Sequence, residues 1–420
     1  MSNLFSLLFV AFLLLMVGLK YWLAWRQVRH VATHAATVPP QFADRITLDA
    51  HRKAASYTIA KTRLALVETA VSAAVLLLLT LLGGLDWIAD ALRGFIDHDF
   101  GFQVAFVTAI AVLLGVIDLP FSWIRQFHIE QRFGFNRMTP KLWFADLLKA
   151  TLLAAALGLP LLAAIIGLMR GAGDLWWLYA WLLWIAFNAT VLVLYPTVIA
   201  PLFNRFEPLK DASLAQRIGA LLARTGFSSK GVFVMDGSRR SAHGNAYFTG
   251  LGRAKRIVFF DTLVERLKPT EIEAVLAHEL GHFKLKHITK RMALSFVTSL
   301  LFLALLGWLA NRPWFYTGLG ATPALHGGNE GLALLLFMLV VPVFTFVFAP
   351  LASRLSRRHE FEADAFAAQH ASAPDLVSAL VKLYEDNAAT LTPDPLHSAF
   401  YDSHPPAALR IERLTAPGHA

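Results

Sequence analysis

No cysteine occurs among the 420 residues. Disulfides, thiolate metal ligands and cysteine nucleophiles are therefore excluded, and any metal centre must be built from His, Asp and Glu. Charge is scarce as well. Asp, Glu, Lys and Arg together make up 16% of the chain against 56% hydrophobic residues, and the mean hydropathy is +0.52. Soluble domains carry about 25% charged residues, so this balance describes a polytopic membrane protein. Acidic residues are the scarcer sign, 29 against 38 Lys and Arg, for a net charge of +9. In a membrane protein that excess reads as a basic cytoplasmic face, and no nucleic-acid partner is expected. Internal repeats and low-complexity segments are also lacking.

Long apolar runs are plentiful. Seven are long enough to span a bilayer, which takes roughly 20 residues; they lie near 4–25, 63–84, 101–123, 142–169, 175–202, 292–310 and 332–352. The first lacks a basic leader and is followed by positive charge, so it reads as a retained anchor. Loop charges give an orientation. Arg26, Arg29, Arg45, Arg52, Lys53 and Lys61 follow the first span, whereas the next loop sets only Arg93 among Asp86, Asp90, Asp97 and Asp99. The third loop has Arg125, Arg132, Arg137 and Lys141; the fourth has Arg170 and the sixth Arg312. By the positive-inside rule the N-terminus is outside, and loops one, three and five and the tail are cytoplasmic.

The expected organisation is mainly α: an N-terminal membrane region of five spans over 1–202, a cytoplasmic domain over 203–291, spans six and seven over 292–352, and a C-terminal cytoplasmic segment over 353–420. Within 203–291 an amphipathic helix is expected at 213–226, with short strands at 231–235, 246–249 and 256–260. Another helix begins at Pro269–Thr270, where Thr270 and Glu273 have capping-box spacing.

That helix contains His278-Glu279-Leu280-Gly281-His282. Histidines at i and i+4 share a face and reach one zinc ion, and Glu279 between them is placed to accept a proton from water. A catalytic zinc usually takes a third protein ligand. His287, five residues beyond His282, falls on another face and reads as a solvated residue near a basic helix end. A better source is Ser356-Arg357-Arg358-His359-Glu360-Phe361-Glu362-Ala363-Asp364. Glu360 and Asp364 share a face there, so one can bind zinc while the other accepts a hydrogen bond from a ligating imidazole. Glu362 points elsewhere. Two spans separate His282 from Glu360, and an even number returns the chain to the same side.

These blocks resemble the type I CAAX prenyl proteases, seven-span zinc metallopeptidases of the gluzincin type. The similarity includes FHIEQRFGFNRMT from Phe127, YPTVIAPLFNRFEPL from Tyr195, HGNAYFTG from His243, KRIVFFDTL from Lys255, HELGHFKLKH from His278, SRRHEFEADAFA from Ser356 and SHPPAALRI from Ser403. It implies a gluzincin-like domain with a small β-sheet. It implies His278, His282 and Glu360 as ligands of one Zn2+, Glu279 as base and Asp364 behind a ligand. Asn245 and Ala246 would pair with substrate as an edge strand. His404 would bind the substrate carbonyl or oxyanion, and Arg410 would pair with Glu360. The substrate would be a peptide or protein near its C-terminus, prenylated or not.

Three other readings remain. A membrane quality-control protease would share the zinc chemistry without needing a lipid. A site-2-type intramembrane protease would need an apolar zinc helix, whereas Glu271, Glu273, Lys284, Lys286 and Lys290 flank this one. A non-catalytic scaffold would not need the full set of His278, Glu279, His282 and Glu360. The Ala- and Leu-rich composition and the lack of a retention signal at the end suggest a bacterial inner membrane, with the endoplasmic reticulum as the alternative.

Overall fold

The structure is a computed structural model and describes residues 1–249, 256–324 and 328–416. Gly250 and Lys255, at the ends of two of the sequence blocks, lie outside the described residues.

Among the described residues, seven helices are long and apolar enough to cross a membrane. The first five begin as α1 (Ser2–His34), α2 (Leu48–Leu79), α3 (Asp99–Ile124), α4 (Pro140–Gly171) and α5 (Trp176–Leu194). Polar side chains cap three of them: Thr47 accepts from the Ala50 N–H, His98 from the Gly101 N–H, and Thr139, followed by Pro140 at the first helical position, from the Leu142 N–H. A 32-residue helix is about 48 Å long, well beyond the roughly 30 Å hydrocarbon core, so helices such as α4 extend past the bilayer. In the most apolar window of α4 only 6% of residues are buried within the protein. Such a surface is stable only against lipid or another apolar phase, while the helix satisfies its own backbone. Helix α2 ends at Leu79, short of the expected 84, because Thr80 leaves helical geometry and Gly83 adopts φ 77°.

The membrane helices pack through stripes at helical spacing, such as Phe102, Phe106 and Ile110 on α3. A second core lies beyond them. It joins α6 (Ala212–Arg224) to a four-stranded sheet of β1 (Phe206–Pro208), β2 (Val232–Met235), β3 (Ala246–Thr249) and β4 (Arg256–Phe260). Helix α6 contributes Leu214, Ile218 and Leu221. The order is β1-β2-β4-β3; β2 and β4 run parallel, and the two outer pairs are antiparallel. β1 was not expected: three residues ending in Pro208 carry no alternating pattern, and only pairing with β2 makes them a strand. Central β4 buries Ile257, Val258 and Phe259, whereas β3 pairs only with β4 among the described residues.

After a short helix at Asp261–Arg266, two longer helices follow the sheet: α7 (Pro269–Lys284) and α8 (His287–Leu309). They are separated at Lys286, whose φ of 57° breaks the helix. The cap of α7 differs from the expected one. Lys268 is the N-cap residue, and the Glu271 carboxylate accepts its N–H at 2.7 Å; Glu273 instead pairs with Arg217 and Arg224. Pro269 takes the first helical position, which shifts the frame by two residues. The seventh span is α9 (Glu330–Thr345), continued after a short tight turn by α10 (Ala349–His370). Helices α11 (Ala373–Asp386), α12 (Pro395–Tyr401) and α13 (Ala407–Thr415) close the chain. Arg26 of α1 ties this tail to the membrane region through a two-point pair with Asp394, the cap of α12.

Candidate metal centre and active site

Helices α7 and α10 cross closely at Gly281, which faces Ala363 and Phe366. A Cβ added to Gly281 would stand 3.0 Å from the Ala363 Cα and 3.2 Å from the Ala363 carbonyl. This approach brings Glu360 beside the histidines of α7. His278 Nε2 lies 3.2 Å from His282 Nε2, His282 Nε2 lies 3.3 Å from Glu360 Oε1, and His278 Nε2 lies 3.5 Å from Glu360 Oε2. Ligands held about 2.0–2.1 Å from a tetrahedral zinc stand about 3.3 Å apart. The three side chains therefore fit one such ion. The donor chemistry agrees: the three side chains are buried or half-buried, and Glu360 Oε2 has no hydrogen-bond partner among the described residues.

The outer nitrogen of His278 is also engaged. Asp364 Oδ1 lies 2.8 Å from His278 Nδ1. If Nδ1 carries the proton, Nε2 is free to ligate. Burial by itself would lower the His278 pKa, but Asp364 and Glu360 push it up to about 9. The pocket thus favours a cation, proton or metal, at this point. Arg410 donates to both Asp364 oxygens, at 2.8 Å and 2.6 Å, while its Nη1 stands 3.8 Å from Glu360 Oε2. The expected Arg410–Glu360 pair is thus the looser contact. The planar guanidinium fork matches the two-oxygen face of Asp364, which lies one helical turn from Glu360.

Glu279, half-buried, lines a cleft of about 230 Å³ with Asn245, Ala246, His278, Glu360, His404 and Arg410. Edge strand β3 forms one wall. The chain before it is held by the 127–139 block: Ala242 donates to the Phe135 carbonyl, Arg137 donates to that of Arg240, and His243 bridges Glu130 and Asn387. His404 also lines the cleft, with Nε2 3.5 Å from Glu360 Oε2. Arg357 donates to the carbonyls of Ser398, Ala399 and Asp402 just before it, and Tyr384 donates to that of Pro405 just after. Arg357 and Tyr384 were not singled out from sequence. Arg357 stands in a charged block with no spacing signal of its own, and Tyr384 is an ordinary helix residue until the tail folds over it.

His287 contradicts its reading as a solvated residue. It is 1% exposed, stacked on His359, and placed between His282 and Glu362. The break at Lys286 turns the start of α8 back beneath α7, which helical spacing continued from α7 could not anticipate.

Seven membrane-competent helices joined to a His–Glu–His helix, a carboxylate from a second helix and an edge strand beside them define a multi-span membrane metallopeptidase. Comparison with known families and structures agrees. Residues 27–205 match the CAAX prenyl protease N-terminal region of five membrane helices, and residues 208–417 match peptidase family M48. The chain belongs to peptidase family M48 and is a metalloendopeptidase integral to a membrane. It is 34% identical to the CAAX prenyl protease 1 homolog of Arabidopsis thaliana, over 97% of this chain and 96% of that protein. It is 36% identical to CAAX prenyl protease 1 of Saccharomyces cerevisiae, over 75% of this chain and 71% of that one. The crystal structure of S. mikatae Ste24p superposes with a TM-score of 0.91 at 29% identity, covering 98% of this chain and 99% of that chain.

Proposed function

We propose that this metalloendopeptidase uses zinc, held by His278, His282 and Glu360, to cut extended peptides docked on β3, and that its substrates are prenylated CAAX-type C-termini. The observation that carries the reading is the meeting of those three ligands at one point, two of which, His278 and Glu360, line a single cleft with Glu279 and edge strand β3. The names of the relatives support the substrate class.

An extended peptide adds to β3 beside Asn245 and Ala246 through backbone hydrogen bonds, which set its position with little sequence demand. Zinc, when bound, supplies Lewis acidity toward the peptide carbonyl and makes water a stronger acid. Glu279 accepts the proton of the attacking water and delivers it to the leaving amine. His404 donates to the oxyanion that develops on the carbonyl. Asp364 holds the proton of His278 on Nδ1, and Arg410 fixes Asp364. The loop charges support an outside N-terminus and a cytoplasmic cleft, and the composition supports a bacterial inner membrane.

The test is proteolysis by the detergent-purified chain of two matched peptides, one with a farnesylated CAAX tail and one unmodified, each with and without a zinc chelator. Chelator-sensitive cleavage of the farnesylated peptide alone, three residues from its end, is the expected result. Equal cleavage of both would replace the prenyl requirement with a general membrane peptidase, and chelator-insensitive cleavage would overturn the zinc reading.

A further inference from the structure

Behind the metal ligands lies a second group of ligand-type side chains. His287, His359 and Glu362 present ligand atoms within 4.8 Å of one another. They do not suit one cation. The His287 and His359 rings stack face to face, 4.1 Å between centroids and 8° between planes. An imidazole nitrogen coordinates along a lone pair in its ring plane, and two stacked parallel planes share no point for an ion.

His287 is engaged at both nitrogens instead. Its Nδ1 lies 3.1 Å from Nδ1 of His282, and its Nε2 lies 2.9 Å from Glu362 Oε2. Two facing ring nitrogens need one proton between them, and the rest of the site decides which carries it. If His282 presents Nε2 toward His278 and Glu360, its proton sits on Nδ1 and is donated to His287 Nδ1. His287 then carries its own proton on Nε2 and donates it to Glu362. The other Glu362 oxygen accepts from Arg358 Nε at 2.9 Å. Every donor meets an acceptor along this chain. The opposite tautomers would place a proton on His282 Nε2, where a ligand lone pair is needed.

We propose that His287 is a positioning residue for His282: it fixes the tautomer and ring plane of that ligand through a relay ending at Glu362. The inference rests on the zinc reading above. It gives the two ligating imidazoles different supports, a buried carboxylate for His278 and a neutral imidazole for His282. The His359 stack keeps the His287 ring from turning.

The experiment measures zinc affinity of the detergent-purified full chain by competition with a chromogenic chelator, together with the visible spectrum of the cobalt-loaded protein. His287→Phe keeps a flat ring against His359 and offers no acceptor. His287→Asn restores an amide oxygen near the Nδ1 position. Zinc affinity should fall about 10–100-fold in His287→Phe, as for other losses of a ligand's hydrogen-bond partner, and the cobalt bands should shift. His287→Asn should recover much of both. Undiminished affinity and an unchanged cobalt spectrum in His287→Phe would overturn the inference, as would equal losses in Phe and Asn, which would indicate packing alone. Should His287→Phe fail to fold, Glu362→Leu decides the case at a partly exposed position: a loss in the same direction supports the relay, and unchanged affinity overturns it. No zinc binding by the parent protein would overturn the zinc reading and this inference with it, whereas tight parent binding with undiminished variant binding overturns the inference alone.

Discussion

Gly281 and Ala363 are in backbone contact: the Cβ position of Gly281 is 3.0 Å from the Ala363 Cα, and Ala363 itself is fully buried. One methyl group at residue 281 would push α7 from α10 and carry the two histidines away from Glu360. Overpacking of this kind costs about 1–3 kcal/mol. Gly281→Ala should therefore melt at a lower temperature in detergent and retain less zinc through gel filtration. A variant with the parent's zinc content would show that the helices absorb the methyl without moving Glu360.

Glu279 lines the cleft and is not one of the three proposed ligands. Glu279→Gln should keep zinc at one per chain while turnover falls by roughly 10²–10⁴, the usual contribution of a general base. Metal analysis and peptide cleavage on the same preparation check this. Full activity in that variant would remove Glu279 from the mechanism.

Asp364 and Arg410 form a buried two-point pair behind His278. Asp364→Leu should weaken zinc binding about 10–100-fold by releasing the His278 tautomer. Arg410→Lys should not fully restore function, because an ammonium cannot match both oxygens at once. Zinc affinity and kcat for the two variants test the pair, and parent-like values in Arg410→Lys would show that charge alone suffices.

Stability should depend on pH through Glu271, which is 1% exposed. Burial alone would raise its pKa. The Lys382 ammonium at 2.7 Å, the Lys268 N–H and the Ser378 hydroxyl outweigh burial and hold the carboxyl below its ordinary value. A depressed carboxylate contributes stability above its unfolded pKa, about 4.3, and loses it as pH falls through the folded value. Glu271→Gln should melt below the parent at pH 7, and the gap should narrow below about pH 4. A constant gap from pH 7 to pH 3 would show that the ionised form is not what matters.

Orientation can be read by labelling, since the chain has no cysteine to remove. Ser228 and Asp90 are both exposed, on either side of the proposed bilayer. In intact cells a membrane-impermeant thiol reagent should reach Asp90→Cys and not Ser228→Cys. The reverse pattern would invert the topology.

The local sequence by itself determined a good deal. Seven apolar runs have to be membrane helices, because only helices and closed barrels satisfy their backbone in lipid. The four-residue spacing of His278 and His282 puts both on one helical face whatever surrounds them. The same spacing puts Glu360 and Asp364 on one face of α10. Strands β3 and β4 were readable from apolar runs between turns. Other features depended on contacts between distant segments. β1 exists only by pairing with β2, and Arg410 met Asp364 rather than mainly Glu360 because of how α13 lies against α10. His287 looked solvated because spacing along α7 ends at Lys286, and no local pattern records where the chain goes after a residue with φ of 57°. Periodicity fixes which side chains share a face; which faces meet is decided by the close crossing at Gly281 and by the tail folding over it.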